Sequence, residues 1–301
     1  MKAEFTVFNF SGIYDDESFY RRDKGSSFCG KIVDLRDVPG TNCLCDDFAR
    51  KEIRKRILDH LRKSILGEEP AFEDKLLNNF TKGVHFIDSG NYHYMSALLL
   101  EMINEPFSLV VLDHHPDMQP SMFGDILSCG SWVKEVIDKN PYVKDVHVIG
   151  ADRKLIDELD ETDVGKVKFY DREDVIIRLT EKNVGIGNFK ISLPQTDYPV
   201  YLSIDKDVIS KEYLETNWDQ GDFTDIEVLE FTRALLAEKN VIGVDICGES
   251  SYDQDGAALE RAIAQNDKFN MELLELIKTE IMRIESISLR INLYVSQFDR
   301  R

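Results

Sequence analysis

Aspartate and histidine crowd the ends of two apolar runs. Leu109-Val110-Val111-Leu112 leads into Asp113-His114-His115-Pro116-Asp117, and Val200-Tyr201-Leu202-Ser203-Ile204 leads into Asp205-Lys206-Asp207. Residues two apart in an extended chain share a face. Asp113 and His115 therefore point one way and His114 the other, and Asp117 can join them once the chain turns at Pro116. Asp205 and Asp207 likewise fall on one side. A third run, Val84-His85-Phe86-Ile87-Asp88, leads into Ser89-Gly90-Asn91-Tyr92-His93, where a helix is expected to begin. Four carboxylates at one sheet edge repel strongly at low dielectric unless protons or cations intervene. A pair of divalent ions with bridging carboxylates is the simplest resolution. Mixed Asp/His ligands suit Mn²⁺, with Fe²⁺ or Zn²⁺ also open and Mg²⁺ less suited to imidazole. Taken singly, each aspartate reads as a turn residue; D-x-H-x-D together with D-x-D does not.

These residues need a scaffold that brings strand ends together. Short apolar, β-branched runs predict strands over Phe5–Phe10, Val84–Ile87, Leu109–Leu112, Val146–Ile149, Val167–Tyr170, Val200–Ile204 and Val241–Ile246. Between them lie segments with helical spacing: Asp46–Leu66, with Phe48, Ile53, Ile57, Leu58 and Leu61 on one face, then His93–Ile103, Trp132–Lys139, Ile226–Glu238 and Met271–Ile284. Strands alternating with helices predict an α/β fold with a mainly parallel sheet covered on both sides, whose chemistry collects where the strands end. The stretch Ile287–Val295 alternates like a strand but could equally continue the preceding helix. With no repeat and no linker-like segment, one continuous domain over residues 1–301 is the simplest reading. In it, 1–83 form an N-terminal strand, loop and helix region and 84–250 the metal-site core.

The motifs resemble those of the ureohydrolase superfamily (arginase, agmatinase, formiminoglutamase). That family carries D-A-H-x-D after one strand, S-x-D-x-D after another and a histidine in an upstream G-G-D-H. Asp113-His114-His115-Pro116-Asp117 matches the first, Ser203-Ile204-Asp205-Lys206-Asp207 the second, and Gly90-Asn91-Tyr92-His93 is a divergent form of the third. Order and spacing agree over roughly residues 84–250. The resemblance implies the three-layer α/β/α arginase-like fold and two Mn²⁺ ions. One ion would be held by His93, Asp113, Asp117 and Asp205, the other by Asp113, His115, Asp205 and Asp207, with Asp113 and Asp205 bridging. Such a pair makes a water nucleophilic near neutral pH. In this family the nucleophile attacks the carbon of a guanidinium or formimino group, and a tetrahedral intermediate expels ammonia or an amine. Two other classes stay open: a deacetylase-like single-metal hydrolase, and a non-catalytic member that holds metal and a small ligand.

Two positions depart from the family pattern. Where the family has a downstream histidine that carries a proton, this chain reads Leu127-Ser128-Cys129-Gly130-Ser131. Cys129 is either the replacement proton donor or a small packing residue. Where the family has a glutamate three residues after an aspartate, Gly248 stands in Asp245-Ile246-Cys247-Gly248-Glu249. Either a one-residue bulge lets Glu249 serve, or the guanidinium contact is absent. The resemblance thus assigns Asp117, Cys129 and Glu249 to catalysis, and Ser128, Asp152 and Arg153 to a small-molecule substrate. Arg153 could pair with a substrate carboxylate; the plainer reading is a salt bridge with a neighbouring acid.

Charge and the remaining residues bound the function further. Lysine and arginine number 37 against 56 aspartates and glutamates, a net charge of −19 that argues against nucleic acid and anionic membranes as partners. Carboxylates that hold cations count here as bare charge, so part of the excess belongs to site chemistry. No apolar run reaches the ~18 residues of a membrane span, and the N-terminus lacks a signal-peptide core; a cytoplasmic location is expected. The five cysteines, Cys29, Cys43, Cys45, Cys129 and Cys247, are expected to be free thiols. The Cys43-Leu44-Cys45-Asp46-Asp47 run is a weak zinc signal and reads as a capping turn with Asp46 or Asp47 as N-cap; alternatively, its loop lines the mouth of the site near Cys129 and Cys247. His85 and His147 read as core histidines, His114 as support behind the ligands and His60 as a boundary residue. Asp157–Asp163 reads as a solvated helix end. Tyr14, Phe19, Tyr20 and Phe28 beside Arg21-Arg22 do not amount to a nucleic-acid patch in so acidic a chain. The resemblance suggests a homo-oligomer, trimeric or hexameric.

Overall fold

In a computed structural model, residues 5–21, 30–62, 70–121, 124–179, 189–254 and 256–298 are described; Arg22, Phe28 and Cys29 lie outside them. In chain order the strands are β1 (Phe5–Asn9), β2 (Lys31–Asp34), β3 (Leu44–Cys45), β4 (Val84–Ile87), β5 (Phe107–Leu112), β6 (Leu127–Ser128), β7 (Val143–Ile149), β8 (Lys168–Tyr170), β9 (Ile176–Arg178), β10 (Phe189–Ile191), β11 (Val200–Asp205) and β12 (Val241–Cys247). The helices are α1 (Asp47–Arg62), α2 (Pro70–Phe80), α3 (Met95–Leu100), α4 (Trp132–Lys139), α5 (Arg153–Asp157), α6 (Glu161–Val164), α7 (Arg172–Val175), α8 (Asp225–Glu238) and α9 (Gly256–Phe298). Eight strands form one sheet in the order β2-β1-β4-β12-β11-β5-β7-β8. Every pairing in it is parallel, so all C-terminal strand ends lie along one edge.

Alternation along the strands builds two cores. Leu109 and Val111 of β5 pack with Ile53, Ile57, Leu98 and Trp132 on one face. Val110 and Leu112 pack with Val228, Phe231, Leu273 and Ile277 on the other. The result is a three-layer α/β/α arrangement. Local chemistry fixes the helix starts. The Ala49 amide donates to Asp46 Oδ1 at 2.8 Å, making Asp46 the N-cap of α1. Thr224 and Glu227 form a reciprocal capping box at α8.

One expectation needs adjustment, and two other readings take definite form. Phe48 is not on the buried face of α1 and is 60% exposed. The buried stripe runs through Ala49, Ile53 and Ile57, and Phe48, five residues before Ile53, sits about 140° away around the helix. The stretch 287–295 continues α9, which spans 43 residues or about 65 Å; its alternation also contains the i, i+4 step of a helix. The aromatic group Tyr14, Phe19 and Tyr20 is buried core, and Arg21 turns back onto the Asp15 carbonyl at 2.5 Å.

Candidate metal centre

Three strands of the sheet deliver the side chains. His93 follows β4 after a short 3₁₀ turn at Gly90–Tyr92, Asp113 follows β5 directly, and Asp205 ends β11, with Asp207 in the next turn. β12 lies between β4 and β11. Close approach at this edge demands glycine: a Cβ on Gly248, whose φ is +95°, would lie 2.4 Å from Asp205 Oδ1. Asp117 enters through a left-handed backbone, φ 48°, a strained conformation of the kind that clusters at functional sites. Its Oδ2 accepts from Trp132 Nε1 at 2.6 Å.

The carboxylates converge on two imidazoles. His93 Nδ1 lies 3.2 Å from Oδ2 of each of Asp113, Asp117 and Asp205, yet neither this nitrogen nor Asp113 Oδ2 has a well-aligned hydrogen-bond partner. His115 Nδ1 lies 2.8 Å from Asp207 Oδ2 and 3.5 Å from Asp113 Oδ1. Among the described residues these atoms form two groups with the spacing of metal ligands: His93, Asp113 and Asp205, then Asp113, His115 and Asp207. Asp113 belongs to both. Asp205 stands in the first only; its Oδ1 accepts the Asp207 amide at 3.0 Å.

Electrostatics follow from burial and crowding. Burial disfavours an imidazolium at His93, but Asp113, Asp117 and Asp205 outweigh it and raise its pKa well above the ordinary range. His115 is likewise raised, burial being overcome by Asp113 and Asp207. Burial and then Asp113 push the Asp117 carboxyl up to about 6. Burial, Asp205 and Asp113 raise Asp207. In Asp113 the two histidines overcome burial and hold the carboxyl below the usual range. Without cations, this cluster reaches a tolerable charge only by retaining protons.

Two residues quoted in the motifs, Ser203 and Asp245, support the ligands from behind, and two others, Trp218 and Asp219, were in no motif. His93 Nε2 lies 3.0 Å from Ser203 Oγ, which donates to Asp245 Oδ1 at 2.6 Å. His115 Nε2 lies 3.1 Å from Asp219 Oδ1, and the Trp218 ring packs edge-on against His115. Asp245 lies inside β12, paired in register with Ser203 of β11. Trp218 and Asp219 come from a loop with no periodicity to reveal them.

A cleft of about 350 Å³ opens over the cluster. Its walls include Cys43, Leu44, Pro116, Pro120, Leu155 and Trp218, with Gln119 and Ser128 as polar members. Cys129 lines it as well. Among the described residues no lysine or arginine does. Asp152 and Arg153 are not brought there. Asp152 caps α5 by accepting the Lys154 amide at 2.7 Å, and the Arg153 side chain is 70% exposed, pairing with Asp157 at 3.2 Å; Leu155, two residues on, reaches the cleft instead. Glu249 also requires correction. The left-handed turn at Gly248 carries it away from the cleft into a fully buried ion pair with Lys206. Asn270 Nδ2 donates to Glu249 Oε1 at 2.8 Å and to Glu17 Oε2 at 3.0 Å. Lys206 alternates with Asp205 and Asp207 and so points behind the sheet edge.

The other cysteines and histidines divide between core and site. Cys43 is at the cleft, whereas Cys45 is buried in the core beside α1 and Cys247 Sγ lies against the Asp88 and Ser89 carbonyls. His85 Nε2 meets the Phe80 carbonyl at 3.0 Å, and His147 Nε2 meets Asp145 at 2.7 Å. The His114 amide donates to Asp207 Oδ1 at 3.0 Å, behind the ligand cluster.

The model of the arginase family matches residues 77–265. An uncharacterized protein of Thermotoga maritima is 30% identical over 221 residues, covering 72% of this chain and 78% of that one. Among solved structures, arginase from Bacillus cereus is similar at a TM-score of 0.58 and 12% identity, covering 90% of this chain and 98% of its own. Formimidoylglutamase from Bacillus subtilis gives 0.57 and 13%, covering 92% and 88%. A putative agmatinase from Clostridium difficile gives 0.57 and 16%, covering 92% and 97%. These structural likenesses speak for the fold; the family match, which spans well over half the chain around the Asp/His cluster, makes this protein a member of the arginase family.

Proposed function

We propose that the protein is a binuclear metal hydrolase that cleaves a C–N bond of a small linear amidine. The observation that carries this reading is His93 Nδ1, buried, without an aligned partner, and 3.2 Å from three separate carboxylate oxygens. One proton can serve only one of those oxygens, whereas one cation satisfies all four donors. His93, Asp113, Asp117 and Asp205 would hold one ion and Asp113, His115, Asp207 and Asp205 the other. The mixed carboxylate and imidazole donors suit Mn²⁺. When bound, such a pair supplies an acidified water and polarises the bond to be attacked.

The chain's own residues do the rest. Asp117 would serve as an ionised ligand, and Trp132 Nε1, donating to its Oδ2 at 2.6 Å, fixes its orientation. Cys129, which lines the cleft, would be the residue to pass a proton to the leaving amine. Leu44, Pro116, Pro120, Leu155 and Trp218 exclude water and accept an apolar substituent. Among the described residues the cleft has no basic lining and offers a substrate carboxylate no cationic partner, so arginine itself fits poorly.

The test is a panel of guanidino, amidino and formimino compounds given to Mn²⁺-loaded protein and assayed for urea, ammonia or formamide. Turnover that disappears in Asp113→Ala is the expected result. Replacing Cys129 with alanine is expected to lower kcat by roughly 10²-fold and to change the pH–rate profile; an unaltered profile assigns Cys129 to packing. Burial of Glu249 against Lys206 favours a second reading, a member that holds metal and a small ligand without turnover. Two bound ions with no product from any compound would favour that reading.

A further inference from the structure

Cys43 and Cys129 face each other across the small ladder formed by β3 and β6. Leu44 pairs with Ser128 and Cys45 with Leu127, antiparallel, so the next step of the register opposes Cys43 and Cys129. The Cys129 amide donates to the Cys43 carbonyl at 3.0 Å, which sets the two side chains at neighbouring positions of the cleft wall. Directly opposed residues of an antiparallel pair have Cα atoms about 4.5–5.5 Å apart, inside the roughly 4.4–6.8 Å that a disulfide spans. Both thiols are unbridged, and both line the cleft over the candidate metal centre. Cys43 is partly exposed and holds a left-handed backbone, φ 60°, which an L residue adopts at a cost. Among the described cysteines, Cys45 and Cys247 are core residues and do not line the cleft.

We propose that Cys43 and Cys129 form a reversible dithiol modification site in the cleft wall, closed to a disulfide by a small hydroperoxide and reopened by a thiol reductant. Contact with Cys129 draws the Cys43 thiol down to about 7, against its partial burial, and this suits Cys43 to attack first. Its thiolate attacks a peroxide oxygen, the O–O bond breaks, and hydroxide leaves a sulfenic acid on Cys43. Cys129 Sγ gives up its proton and attacks Cys43 Sγ; the S–O bond breaks and water leaves. In total, two thiols are oxidised to one disulfide and one hydrogen peroxide is reduced to two waters, or one organic hydroperoxide to an alcohol and one water. The bond ties the loop before β3 to the segment after β6 and removes the Cys129 thiol from the cleft surface.

The site is tested on the full chain loaded with Mn²⁺. The protein is treated with hydrogen peroxide, free thiols are alkylated, and the digest is analysed by mass spectrometry. The expected result is a linked peptide pair joining Cys43 to Cys129, near-complete loss of alkylation at both, and full recovery with dithiothreitol. In Cys43→Ser, Cys129 is expected to remain alkylatable after peroxide. Retention of both thiols, a bond from either to any other cysteine, or over-oxidation of Cys43 without a link would overturn the proposal. The readout is mass rather than turnover, so an inactive amidine panel leaves this site standing, and a missing disulfide leaves the hydrolase reading standing.

Discussion

The His93 ring is engaged from both sides. Nδ1 faces three carboxylates, and Nε2 meets Ser203 Oγ, which donates onward to Asp245. A polar partner on the far nitrogen fixes the tautomer and ring orientation of a metal-binding histidine. Ser203→Ala is therefore expected to weaken Mn²⁺ binding by about 10–100-fold, measured by chelator competition, with an unchanged circular dichroism spectrum. Unchanged affinity would mean that packing against Trp132 alone orients the ring. At this scale the sequence was readable where residue type and strand period acted together. Asp113, His115, Asp205 and Asp207 converge because alternate residues after parallel strands share a side. Glu249, Asp152 and Arg153 were not readable. One left-handed glycine redirects Glu249, and a capped helix start spends Asp152 on a backbone amide while leaving Arg153 in solvent.

At the scale of elements, the sheet edge depends on a tie behind it. Lys206 of the turn after β11 pairs with Glu249 after β12, and Asn270 of α9 and Glu17 join the same buried network. Burial and then Glu249 raise the Glu17 carboxyl well above its usual range, which favours its neutral form there. Removing one partner of a buried ion pair leaves the other uncompensated. Lys206→Met is expected to cost roughly 3–5 kcal/mol in urea unfolding, and Lys206→Met with Glu249→Gln much less. Equal losses in the single and double variants would contradict the pairing. All seven predicted strands occur; the apolar runs of β1, β4, β5, β11 and β12 mark strands buried on both faces, while β8 is a short, partly exposed edge strand. β2, with charges at both ends, and the two-residue β3 and β6 carry too little pattern to be seen. The end of α9 was ambiguous because its alternation fits both periods.

For the molecule as a whole, among the described residues no helix is long and apolar enough to cross a membrane. Stability should depend on acidity through His85. This imidazole is buried against Phe80 and Phe8, and burial outweighs its contacts with the Phe80 and Thr81 carbonyls, lowering its pKa to about 4. The unfolded chain then binds the proton first as pH falls. Stability is complete above about 6.5 and is lost between about 6.5 and 4, by roughly 3 kcal/mol. Denaturation across that range should show a flatter dependence in His85→Gln; an identical slope would remove His85 as its source. The net charge of −19 includes the four aspartates gathered at one sheet edge, and the functional account rests on cations meeting them there. Anomalous diffraction from crystals grown with Mn²⁺ tests this most directly. The account requires two peaks about 3.5–4 Å apart, one beside His93 and one beside His115, with the Asp113 carboxylate between them. A single peak, or none with the cluster closed by protons, would contradict it.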